Sequence, residues 1–168
     1  MPAAKKDAIA LLKADHRKVE ELFEQYESAR SRKADIAKKI CMELTIHTMI
    51  EEEIFYPACR EAGVESDMMD EANVEHDGAK TLIAELEAGA PGDEFYDAKV
   101  KVLSEMIEHH VGEEEQRSEG IFAQAKKGGV DMDAIGAELA ARKEALVASY
   151  KAGGTPKPET TTFTEVTV

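Results

Sequence analysis

Four stretches of this chain repeat apolar residues in steps of three and four, and each sets a histidine in the same register. The first runs Ile9, Leu12, His16, Val19, Phe23, Tyr26; the second runs Ile36, Ile40, Leu44, His47, Glu51, Ile54, with Pro57 near its end. The third is Met69, Ala72, His76, Ala79, Ile83, Leu86, and the fourth is Val100, Leu103, Ile107, His110, Glu114. That period is one helix face turned towards a core. Turn formers separate the stripes at Ser31 to Asp35, at Glu61-Ala62-Gly63 and at Ala90-Pro91-Gly92-Asp93. Connections this short make neighbouring helices antiparallel, so the expected fold is all-α, an up-down-up-down four-helix bundle. A fifth helix should follow Gly128-Gly129, with Ile135, Leu139 and Leu146 as its apolar face. From Gly153 onward, threonines and turn formers without helical period predict a flexible tail. Residues 1–150 are thus expected to form the bundle with its extra helix, and 151–168 the tail.

Composition agrees with that reading. Aromatic residues make up only 5% and tryptophan is absent, while Ala, Glu, Lys, Leu and Met abound, a bias towards helix over sheet. The formal net charge of −14 would repel phosphates, which argues against a nucleic-acid partner. No apolar run is long enough for a membrane span or a signal segment, so a soluble, cytoplasmic protein is expected. Cys41 and Cys59, if on one helix, are separated by roughly 27 Å of rise. They cannot bridge each other there and read as reduced thiols.

The polar residues inside the stripes carry the chemistry. His47 and Glu51 lie four apart on one helical face, and so do His110 and Glu114. Burying an unpaired carboxylate costs several kcal/mol at least unless it is protonated, paired or bound to a metal. A single histidine on an apolar face is more often a hydrogen-bonded core residue than a ligand. Four of them near mid-helix, two followed by glutamate, need a common explanation. In an antiparallel bundle they share one level and offer four nitrogens and two carboxylates to one cavity. Two metal ions fit that set, each on two histidines, with Glu51 and Glu114 bridging. Nitrogen and oxygen donors without thiolate suit iron or manganese, with zinc a further option. His109 and Glu113 form a rival pair on the stripe Val102, Met106, His109, Glu113; Leu103 and Ile107 make the better apolar lead-in to His110 and Glu114. Tyr26, Met69 and Met106 read as packing residues, although Tyr26 on the His16 stripe has the chemistry for a redox or gating role.

The segments DHRKVEELF (Asp15 to Phe23), HTMIEEEIFYP (His47 to Pro57), EHDGAKTLI (Glu75 to Ile83) and HHVGEEE (His109 to Glu115) resemble the hemerythrin HHE cation-binding family over roughly residues 8 to 148. The resemblance implies two iron ions, with His16, His47, His76 and His110 as terminal ligands and Glu51 and Glu114 as bridging carboxylates. This chain departs from the family's oxygen carriers in two places. Lys80 stands where they carry a second histidine one turn after His76, and the last helix has Glu114 at four residues after His110, or Glu115 at five, instead of aspartate at five. About three extra residues follow the fourth motif, and Gly112 beside the ligand suggests a bulge or kink there. The expected function is reaction with dioxygen, peroxide or nitric oxide under oxidative or nitrosative stress, with peroxidase-, catalase- or oxidase-like turnover open. Reversible oxygen storage and metal-dependent sensing without turnover are the alternatives, and the small ligand is the only partner the sequence implies.

Overall fold

The computed structural model describes residues 4–154, 156–157 and 159–164. Four long antiparallel helical arms form the bundle. Helix α1 spans Ala8–Ser28, and Asp7 caps it by accepting from the Ala10 amide at 2.8 Å. The second arm is α2 (Lys33–Ile50), a π turn (Glu51–Phe55) and α3 (Tyr56–Glu61) in one continuous run. Helices α4 (Ser66–Ala88) and α5 (Tyr96–Glu115) complete the four. Helix α1 packs on α2, α2 on α4, α4 on α5, and α5 back on α1, which closes the square.

The π turn was not foreseen, and Pro57 accounts for it. A proline lacks the amide that would bond to residue 53, and its ring crowds that carbonyl. The chain widens to i→i+5 bonding instead, and the Tyr56 amide reaches Glu51 O. The extra residue resets the face. Ile54, placed on the stripe by its α-helical period, is only half-buried, whereas Phe55 and Tyr56 turn inward. The irregularity expected at Gly112 is absent, since α5 continues through it to Glu115 and Gly112 is exposed. The turn from Gln116 to Gly120 absorbs the extra residues.

Two further helices follow. The short α6 (Ile121–Lys127), which the sequence reading missed, drives Ile121 and Phe122 into the core. Helix α7 (Met132–Lys151) is the expected fifth helix, and Asp131 caps it through the Ala134 amide at 3.0 Å. It packs across α1 and α2, so α2 is buried nearly all round from Ile40 onward. Gly136 permits the close approach, because a Cβ there would stand 2.7 Å from the Ala8 nitrogen. The described residues beyond α7 hold no helix or strand. Among them, Glu159, Thr161 and Thr162 bond to Lys80 and Asp77, so this part of the expected tail is anchored to α4.

The apolar core is divided in two. One half contains Leu12, Ile50, Phe55, Met69, Ala72, Ile121, Phe122 and Leu139; the other contains Val19, Ile40, Leu44, Ala79, Ile83, Leu103 and Ile107. Each histidine of the four stripes lies in sequence between residues of the two halves. A polar layer therefore crosses the middle of the bundle.

Candidate metal centre

That layer brings the six sequence-derived residues together. His16, His47, Glu51 and Glu114 converge with one ligating atom each, all within 4.8 Å of one another; Glu51, His76, His110 and Glu114 form a second such group. Glu51 and Glu114 belong to both. Their oxygens divide between the histidine pairs. Glu51 Oε1 is 3.0 Å from His47 Nε2 and its Oε2 is 3.2 Å from His76 Nε2. Glu114 Oε2 is 3.4 Å from His16 Nε2 and its Oε1 is 2.7 Å from His110 Nε2. Within the pairs, Nε2 faces Nε2 at 3.2 Å for His16 and His47 and at 3.1 Å for His76 and His110. All six residues are at most 6% exposed.

An outer ring of carboxylates orients the imidazoles. Nδ1 of His16 meets Glu115 at 3.0 Å, that of His47 meets Asp15 at 3.3 Å, and that of His110 meets Glu75 at 2.5 Å. Glu52 stands 3.4 Å from His76 Nδ1, without hydrogen-bond geometry. A carboxylate at Nδ1 keeps the proton there and turns the Nε2 lone pair inward, the arrangement used by metal-binding histidines. These carboxylates lie in acidic runs or beside ligands, and only spacing relative to a known ligand could have marked them.

The layer's charge is otherwise poorly compensated. Both oxygens of Glu51 and Oε2 of Glu114 are buried without any hydrogen-bond partner. Burial and the neighbouring Glu114 push the Glu51 pKa up, but His47 and His76 outweigh them and bring it to about 2. Burial opposes a charge on His47, yet Glu51 and Asp15 raise its pKa to about 10. Burial likewise disfavours charge on His110, but Glu114 and Glu75 hold its pKa well above the usual range. Bare carboxylate oxygens facing four imidazole nitrogens in a dry interior are a donor set that fits cations.

Tyr56 is the member of the site that the sequence reading missed. Its hydroxyl donates to Glu114 Oε1 at 2.6 Å and lies 3.1 Å and 3.2 Å from Nε2 of His76 and His110. Burial, then the charges of Glu114 and Glu51, push its pKa well above the usual phenol range. Phe122 closes the opposite end, stacked on His16 with centroids 5.9 Å apart and planes 5° apart. The rival pair points outward: His109 is 62% exposed, and with Glu113, Glu71 and Glu75 it forms a separate surface group. Tyr26 lies in the other apolar half, where its hydroxyl donates to Asp97 at 2.7 Å. Cys41 and Cys59 are free and buried; burial pushes the Cys41 thiol up to about 12. No helix among the described residues is long and apolar enough to cross a membrane.

Comparisons with known proteins bear on the fold and the family. No curated protein matches the chain. A crystal structure of a hemerythrin HHE cation binding domain-containing protein from Mycobacterium kansasii superposes with a TM-score of 0.72 at 21% identity, covering 89% of this chain and 95% of that one. At that identity the likeness speaks for the fold. The family model of the hemerythrin HHE cation binding domain matches residues 7–118, the span that holds all four histidine arms. The chain belongs to the hemerythrin HHE cation-binding family.

Proposed function

We propose that this protein holds two iron ions in the polar layer and reacts there with dioxygen, peroxide or nitric oxide as part of a cytoplasmic stress response. The observation that carries the reading is the division of Glu51 and Glu114, each with one oxygen towards each histidine pair. His16 and His47 would hold one ion, His76 and His110 the other, and the two glutamates would bridge them. When bound, such a metal pair would supply the electrons for the reaction. The site's enclosure limits the ligand to a few atoms, since none of the six donors is more than 6% exposed.

The chain's own groups favour turnover over simple carriage. Lys80, where the oxygen carriers have a histidine, removes one nitrogen donor from the His76 side. Tyr56 keeps a proton at Oη within the donor layer, 2.6 Å from Glu114 Oε1. Reduction of peroxide or dioxygen consumes protons, and a buried phenol beside a carboxylate can deliver one without admitting water. Glu114 Oε1 accepts the hydroxyl's hydrogen bond and so keeps the phenol aimed into the layer.

Anaerobic loading with ferrous iron, a metal count, and absorption spectra on adding air and then peroxide test the reading. Two irons per chain and catalytic loss of peroxide are expected. A spectrum that reverses fully on degassing, with peroxide left intact, would identify a carrier instead.

A further inference from the structure

Lys80 is only 5% exposed, and none of its partners is one of the six donors. Its ammonium reaches Glu52 Oε1 at 2.8 Å, Asp77 Oδ1 at 3.3 Å and the backbone oxygen of Glu159 at 3.1 Å. Asp77 is fully buried. A bend at Thr161 and Thr162 covers it: the Thr161 amide stands 3.1 Å and 3.0 Å from its two oxygens, and the Thr162 amide and hydroxyl each donate to Oδ2 at 2.6 Å. Without that bend Asp77 would keep Lys80 alone as a partner in the structure described. The carboxylate that Lys80 holds on its other side, Glu52, is the one that faces His76 Nδ1 at 3.4 Å. Hydrogen bonds therefore run from Thr161 and Thr162 through Asp77 and Lys80 to Glu52, whose other oxygen faces His76 Nδ1 by charge alone at 3.4 Å.

We propose that residues 159–162 act as a strap that fixes the orientation of His76, with Asp77, Lys80 and Glu52 as the positioning residues between them. The metal-retaining part of this proposal rests on the two-iron reading; the strap and its effect on His76 do not. Two consecutive amides and a hydroxyl on one carboxylate hold the strap in register, and the Glu159 carbonyl fixes Lys80 from the other side. His76 has the longest Nδ1 contact of the four histidines, and Glu52 is held beside it by Lys80 at 2.8 Å. Outer carboxylates of this kind change metal affinity by about 10–100-fold when lost. Lys143 on Asp15 and Arg17 on Glu115 back the carboxylates of His47 and His16 in the same way, but only the Lys80 side is tied to the segment 159–162.

The full-length double variant Thr161→Pro/Thr162→Pro removes both amide donors and the hydroxyl from exposed residues outside any helix. In metal-free protein, the His76 ring-nitrogen NMR signals should move relative to wild type while those of His16 stay in place. Unmoved His76 signals would overturn the strap. In iron-loaded protein under anaerobic conditions, ferrous iron should pass to a chelator about tenfold faster from the double variant. Thr162→Val, which loses the hydroxyl alone, should fall between. Equal release rates would overturn the metal-retaining role even if two irons bind. A wild-type chain that takes up no iron would defeat the proposed function and that role with it, while the metal-free spectra would still decide whether the strap positions His76.

Discussion

The Tyr56 hydroxyl donates to Glu114 across the bundle at 2.6 Å, and it faces that way because the π turn at Glu51–Phe55 adds one residue ahead of it. If this phenol delivers the proton, Tyr56→Phe should keep two irons per chain and slow peroxide consumption by about 10²-fold. Stopped-flow assays on iron-matched samples check this. An unchanged rate would leave Tyr56 as packing alone.

The two histidines that open the HHVGEEE segment should separate cleanly. His110→Ala removes a buried nitrogen from the donor layer, whereas His109→Ala alters a residue 62% exposed. Metal analysis after ferrous loading should find at most one iron in the first variant and two in the second. His76→Ala should behave like the first.

Phe122 contributes through packing. It is 4% exposed, stacks on His16 and meets Phe55 edge-on at 5.6 Å. Phe122→Ala should destabilise the protein by about 3–5 kcal/mol, the usual cost of emptying such a site. Urea unfolding of the metal-free form measures it. A loss below about 1 kcal/mol would mean that α6 is loosely attached.

The buried charges set the pH behaviour of the metal-free protein. The pKa of His47 is raised to about 10, so its stabilisation is complete below about pH 6.5 and disappears as pH rises through 10. That of Glu51 is lowered to about 2, so its contribution is present above about pH 4.5 and is lost as pH falls through 2. The melting temperature of metal-free protein should therefore fall between pH 7 and 10. With iron in place of the Nε2 proton, the loaded form should hold its value across that range. Loading should also release protons, which a weakly buffered indicator assay would record.

Much of this was legible in the sequence because a helix face repeats regularly. The four stripes gave the bundle, and the same register brought six polar residues to one level. Other features broke the period and were hidden for that reason. Pro57 shifts the second arm into π geometry, which exchanges Ile54 for Phe55 and Tyr56 on the inner face. Helix α6 is seven residues long, too short to show a repeat. Glu52, Glu75 and Glu115 sit among other acids that resemble a solvated surface until the fold turns them towards the imidazoles. The contact of Thr161 and Thr162 with Asp77 joins residues 84 and 85 positions apart, with no periodic signal on the threonine side.

Anomalous diffraction from crystals of iron-loaded protein, collected at the iron edge, tests the central claim most directly. Two peaks are expected between the Glu51 and Glu114 carboxylates, one beside His16 and His47 and the other beside His76 and His110. A layer without anomalous density, or peaks confined to His109 and Glu113 on the surface, would contradict it.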